Sequence, residues 1–307
     1  MATEVAVKTD VKVVRKSTWK KKSRWYFWGL AFLLPEVIIF SLFLWMPIIK
    51  GIIFSFQQID FVNPNTFVGL DNYREILALS QFKTAIINTL SYMALCLVIG
   101  FWVPALTAIC VSELRKFQGI ARVIGYLPSI IPSIVLYGMW TWFYDPIGPI
   151  NSALMSLHLD KISFFSNHMA MISIVIMETW QQFGAAVLIY LAGIMSIPKD
   201  LYEAAEIDGA SVLQRIRHIT LPGIKKLLAL MLILQLINTS QGFQAQMAMT
   251  DGGPNNATLT YMLMATRQAF VNMDFGKASA MGVMMFIALL GLSFLYQKLQ
   301  RRGVGHE

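Results

Sequence analysis

"EAAEIDGASVLQRIRHITLP", residues 203–222, decides how the chain is read. Three carboxylates (Glu203, Glu206 and Asp208) stand among its first six residues, and Arg215, Arg217 and His218 follow. Apolar blocks long enough to cross a membrane flank it, Ala170–Met195 before and Leu227–Met249 after. A charged, glycine-interrupted segment cannot lie in lipid, where its backbone finds no partners. It is therefore a loop between two spans, and the rest of the chain can be placed around it.

The composition agrees. Of 307 residues, 56% are hydrophobic and only 14% charged, where a soluble domain carries nearer a quarter. Six apolar segments are long enough to span: Phe27–Ile49, Thr84–Val111, Val123–Tyr144, Ala170–Met195, Leu227–Met249 and Gly276–Gln297. The expected fold class is an all-α integral membrane protein with six transmembrane helices. Residues 27–297 form the membrane domain, 197–226 its charged loop, and 1–26 and 298–307 polar tails. The basic lead and long first apolar run, without a small-residue cleavage site, read as a retained first helix rather than a signal peptide.

Net charge is +8, and its distribution follows topology. With the N-terminus inside, 19 of the 25 Lys and Arg residues fall in the two tails, near residues 112–122, and in the 197–226 loop. Both termini and the charged loop are then cytoplasmic. No basic patch interleaved with aromatics points to nucleic acid. Cys96 and Cys110 share one apolar segment, roughly 21 Å apart along a helix, so they read as packing residues. Gly276-Lys277 fails as a phosphate loop, because Val271 and Ala278 stand where glycine and a hydroxyl residue are needed. Four scattered histidines make no metal-ligand spacing. Nothing in these patterns supports catalysis or a bound metal.

Within the charged loop, Pro198 ends the preceding helix and Asp200 is a candidate N-cap for a short acidic helix. Gly209 supplies a turn. A second short helix carries Val212, Ile216 and Ile219 as an apolar stripe, with Arg215 and Arg217 on other faces. Pro222 sets the entry to span five. Two short helices with small residues and exposed carboxylates suit docking into another protein's groove. The plainer alternative is an amphipathic loop lying on the membrane surface.

The stretch resembles the EAA signature of bacterial binding-protein-dependent ABC importer permeases: Glu-Ala-Ala, three residues, Gly, nine residues, Ile-x-Leu-Pro. Ile216 stands where many members carry an aromatic, and Lys226 where proline is common. The resemblance implies a type I importer permease in the plasma membrane, whose coupling helix seats in a cleft of an ATPase subunit. It implies ATPase coupling through Glu203, Ala204, Ala205, Asp208, Gly209, Ala210, Arg215, Leu221 and Pro222. "FVGLDNYREIL" (67–77), "YLPSIIPSIVLYGMWTWFYDPIGPIN" (126–151) and "TDGGPNNAT" (250–258) resemble the sugar-importing, maltose-type subfamily. The implied partners are a second, different permease subunit, two ATP-binding subunits, an external solute-binding protein, a sugar and membrane lipid. ATP and Mg are used by the partner ATPase, and this chain binds no cofactor.

A solute path needs polar groups inside the membrane. Span four carries Glu178, Gln181 and Gln182 on one helical face, and span five carries Gln235, Asn238, Thr239 and Gly242 at similar spacing. They read either as interhelical hydrogen-bonding groups or as the wall of a cavity. The two stripes flank the charged loop, and the resemblance to maltose-type permeases, whose helices on either side of that loop carry sugar contacts, favours the cavity. Asp60, Asp71, Glu75 and Asp251 are acidic candidates for docking a solute-binding protein. An importer for a non-sugar solute, or an ion-gradient-driven carrier using Glu178 and Glu36, are the alternatives.

Overall fold

The computed structural model describes residues 18–59, 64–113 and 118–304. The candidate docking residue Asp60, the first part of the N-terminal tail and the last residues of the C-terminal tail lie outside them. The chain divides into two compact units, residues 1–53 and 54–307. The described residues of the first are helical, forming α1 from Thr18, whose candidate span Tyr26–Phe54 ends on the first residue of the second unit. The α1 side chains are exposed, Phe32 at 86% and Phe43 at 77%, as a lipid-facing helix requires. Glu36 has no hydrogen bond or ion pair among the described residues.

In the second unit a two-residue hairpin comes first, β1 (Gln57–Gln58) pairing antiparallel with β2 (Thr66–Phe67). Then follow α2 (Asp71–Ala78) and α3 (Ser80–Glu113). Next are α4 (Gln118–Ile130), α5 (Ser133–Phe143), α6 (Pro149–Ser156) and α7 (Ala170–Met195). The charged loop supplies α8 (Lys199–Ile207) and α9 (Val212–Gly223). The chain ends in α10 (Lys225–Ser240), α11 (Gln244–Thr250), α12 (Tyr261–Phe270) and α13 (Phe275–Val304).

Among the described residues, four helices are each long and apolar enough to cross a membrane: α1, α3, α7 and α13. A fifth span is counted if α9 and α10, bent by 66°, are taken together. The third and fifth apolar segments each consist of two helices. Val123–Tyr144 is interrupted at Ile131–Pro132, where Pro132 caps α5 with an extended ψ of 132°. Proline lacks a donor and disfavours helix at the residue before it. Leu227–Met249 is interrupted after Ser240, where Gln241 and Phe243 leave helical geometry on either side of Gly242. Pro104, by contrast, sits in α3 just after a wide π turn at Cys96–Phe101, and the helix continues through it.

α7 is the axis of this unit. Toward the charged loop, its Val187, Tyr190, Leu191 and Ile194 pack with Phe101, Ala105, Ala108 and Ile109 of α3 and with Ile224. At the opposite end, Ile174 and Met177 pack with Tyr137, Tyr144, Ala245 and Met249. α4 crosses α7 so closely that a Cβ on Gly184 would fall 2.1 Å from the Gly125 carbonyl oxygen. Only glycine permits that approach, a small-residue contact of the kind membrane helices use.

Candidate functional site

Between α3, α4, α5, α7, α10 and α11 lies a cavity of about 650 Å³. All seven residues of the two polar stripes line it: Glu178, Gln181 and Gln182 from α7, Gln235, Asn238 and Thr239 from α10, and Gly242 from the break that follows. The periodicity explains why each stripe shares one wall. Both wall helices run directly into the charged loop, α7 ahead of it and α10 after it.

The wall is anchored by a few bonds. The Tyr92 hydroxyl donates to Glu178 Oε2 at 2.5 Å. Gln181 Nε2 donates to Ser133 Oγ at 2.8 Å, and Ser129 Oγ donates to the Gln181 carbonyl at 2.8 Å. Thr239 Oγ1 donates to the Gln235 carbonyl of its own helix, so the oxygen keeps acceptor capacity. The side chains of Gln182, Gln235, Asn238 and Gln244 make no hydrogen bond among the described residues. Such amides in a membrane are costly without partners, and here they face open space.

Other lining residues were missed in the sequence although a signal was there. Tyr92, Cys96 and Gly100 recur every four residues, as do Ser129, Ser133 and Tyr137, and all six line the cavity. The π turn at Cys96–Phe101 turns Cys96 and Gly100 onto the wall. A Cβ on Gly100 would lie 3.2 Å from Gln235 Nε2, and one on Gly242 would lie 2.6 Å from Tyr92 Cε1. Gly242 is therefore needed for the close approach of the break to α3. Trp180 packs edge-on against Trp140 at 5.4 Å, away from the cavity lining.

At the charged loop the local geometry is self-contained. Asp200 is not the N-cap: Pro198 holds that position, and Asp200 falls in the first turn of α8, where its charge suits the helix dipole. Gly209 has φ +72° with open space around it. Ser211 starts α9 with a capping box to Gln214, satisfying two end groups at once. α9 then widens into a π turn at Ile216–Thr220 and absorbs Pro222 near its end. The bend into α10 therefore falls at Ile224 rather than at Pro222. Of the expected stripe, Ile216 and Ile219 pack on the core while Val212 stays exposed.

Glu203, Ala204, Asp208, Gly209 and Pro222 are exposed, and Ala205, Ala210 and Leu221 are half-buried. Arg215 faces inward. Its guanidinium pairs with Glu113 at the end of α3, 2.8 Å, and with Glu206 of α8, 3.1 Å.

The family model for "Binding-protein-dependent transport system inner membrane component" matches residues 97–304. This chain belongs to that family. Among relatives of these transport components, the arabinooligosaccharides transport system permease protein AraP of Bacillus subtilis is 32% identical, with 87% of each chain covered. The trehalose/maltose transport system permease protein MalF of Thermococcus litoralis is 31% identical, covering 89% of this chain and 93% of that one. A permease chain from the crystal structure of a bacterial alginate ABC transporter in complex with its pentasaccharide-bound periplasmic protein superposes with a TM-score of 0.83. It is 27% identical and covers 94% of this chain and 98% of that one. The chain is thus a multi-pass permease subunit of an ABC importer, with the type I permease fold, and is not itself an enzyme.

Within this permease the "GLDNY" stretch has a structural task. Asn72 Nδ2 donates to the carbonyls of Ser55 and Gln57, and the Tyr73 hydroxyl donates to Ser55 Oγ. The acidic docking candidates are paired internally: Asp71 with Arg74, Glu75 with Lys277, and Asp251 with Arg267.

Proposed function

We propose that this permease forms half of a sugar-conducting path and exposes its cavity alternately to the two sides of the membrane. The observation that carries the reading is the cavity itself: both polar walls belong to the helices that enter and leave the coupling loop. A push on α8 and α9 reaches both walls through the packed core around Tyr190, Ile194 and Ile224. Glu203, Ala204, Asp208 and Gly209 offer the exposed face for an ATPase subunit. A second permease subunit completes the cavity, two ATP-binding subunits use ATP and Mg, and an external solute-binding protein delivers the solute. Both termini are cytoplasmic, as the Lys and Arg distribution supports. The sugar assignment draws on the named cargoes of the maltose, arabinooligosaccharide and alginate relatives.

The test is uptake into proteoliposomes holding both permeases and the ATPase. Uptake should require ATP and the solute-binding protein and should survive collapse of ion gradients. Uptake that stops when the gradient is collapsed, with ATP still present, returns the chain to the carrier reading and makes Glu178 its coupling group.

A further inference from the structure

The cavity wall carries a charge signature. Among its described lining residues there is no Lys, Arg or His, and Glu178 is the one carboxylate. Six amide side chains, Gln181, Gln182, Gln235, Asn238, Gln241 and Gln244, stand among its polar lining, with hydroxyls of Tyr92, Ser129, Ser133, Tyr137, Thr179 and Thr239. Four of the six are free of hydrogen bonds within the described residues. We infer, on the basis of the sugar-importer reading above, that the solute is an uncharged polyhydroxylated molecule, and that this wall selects against acidic sugars and sugar phosphates.

The argument is one of pairing. A carboxylate or phosphate leaving water for a membrane cavity needs a cation or several aligned donors to offset its desolvation. This wall offers no cation and presents the Glu178 carboxyl group instead. Tyr92 engages Oε2 of Glu178, and the remaining acceptor capacity suits a solute hydroxyl. Carboxamides are matched to hydroxyls in a further way. Each both donates and accepts, so it serves a sugar hydroxyl whichever way its proton points. A wall of free amides around one acceptor therefore fits a ring of hydroxyls. A cationic solute would use Glu178 but leave the amides without a matching set of groups. The alginate importer, whose structure describes its cargo as an acidic polysaccharide, shares this fold, so fold alone does not set the charge of the cargo. The lining does.

The experiment uses the assembled importer with its own solute-binding protein. Solute released from the copurified binding protein is identified by mass spectrometry in both ion modes. A polyhydroxylated molecule without acidic or amine groups is the expected result. A uronate, sulfated or phosphorylated sugar overturns this inference and leaves the sugar-importer reading standing. An amino acid or peptide removes that reading itself. A second measurement is uptake through Glu178→Gln, which keeps a hydrogen-bonding group and removes the charge. For an uncharged solute, transport persists with KM raised by up to about tenfold. A loss beyond a hundredfold that Glu178→Asp restores indicates a cationic solute, and a gain in uptake of an acidic solute indicates an anionic one. Either result overturns the assignment.

Discussion

The charged loop and the cavity are adjacent in the chain but are specified in different ways. The loop is built from consecutive residues. Gly209 takes its positive φ, Ser211 and Gln214 cap each other three residues apart, and Ile216 and Ile219 fasten the second short helix to the core. The cavity is assembled from segments far apart in sequence. Tyr92 and Glu178 are separated by 86 positions, and Ser129 and Gln181 by 52. A local element can be destroyed without harm to the distant one. A cavity depends on every helix crossing that brings its walls together.

The largest effect is therefore expected at a crossing rather than at a polar wall residue. Gly184→Leu would drive a side chain into the Gly125 backbone, which leaves no flexible group to yield. Overpacking of this kind costs roughly 1–3 kcal/mol where neighbours can move, and more is expected where the obstacle is main chain. The variant should lose folded permease, measured as monodisperse protein recovered from membranes. Normal recovery with normal uptake would show that α4 and α7 can separate without disturbing the cavity.

The next effect belongs to the loop. Arg215→Ala leaves Glu113 and Glu206 facing one another without the guanidinium between them. The pair is partly buried, with the Arg215 side chain only 14% exposed, so it holds more than a surface ion pair does. We propose Arg215 as a brace that ties α8 to the end of α3, rather than a group reaching for the ATPase. The expected outcome is continued ATP hydrolysis with transported solute per ATP reduced several-fold, and partial recovery in Arg215→Lys. An unchanged transport-to-hydrolysis ratio would return the residue to an interface or a passive role.

This contrast also explains what could be read from residues alone. The loop was legible because its signals are short-range: a fixed spacing from Glu203 to Pro222, and a glycine where the backbone turns left-handed. The polar stripes of spans four and five were legible because helical periodicity collects Glu178, Gln181 and Gln182 on one face. Tyr92, Ser129 and Ser133 were missed although they belong to four-residue series with Cys96 and Gly100 and with Tyr137, because small and weakly polar groups stand out little against an apolar helix and only the fold shows which face turns inward. The break at Gly242 was hidden for a related reason, while Pro132 marks its own by residue type. Hydropathy integrates over a whole crossing and does not register a local change of direction. The same blindness placed the bend at Pro222, when the π turn carries the helix on to Gly223.

Within the cavity, single amides should matter less than the brace but in a cleaner way. Gln182→Leu and Asn238→Leu remove a free hydrogen-bonding group and keep similar volume. Each should lower uptake by about twofold, in line with roughly 0.5 kcal/mol for one solvent-exchangeable hydrogen bond, while complex recovery and ATP use per solute stay as in the parent. Normal uptake in both variants would remove these walls from the solute path and leave them as interhelical contacts.

The smallest effect is expected at another arginine. Arg74 pairs with Asp71 at 3.1 Å, a distance equal to that between Arg215 and Glu206, yet its side chain is 77% exposed and that of Asp71 is 58% exposed. Water and salt screen such a pair, and its contribution is about 0.5 kcal/mol or less. Arg74 also follows Asn72 and Tyr73, whose bonds to Ser55 and Gln57 hold the "GLDNY" turn without its help. Arg74→Ala should then leave thermal stability and the transport-to-hydrolysis ratio unchanged. Because this face carries the acidic docking candidates, a fall in apparent affinity for the solute-binding protein, seen only at low salt, would mark Arg74 as a steering charge. A fall that persists at high salt would instead mean that Arg74 touches the partner directly. Two arginines at like distances from a carboxylate would then be distinguished by burial: one holds the permease's own loop, and the other is free to serve a second protein.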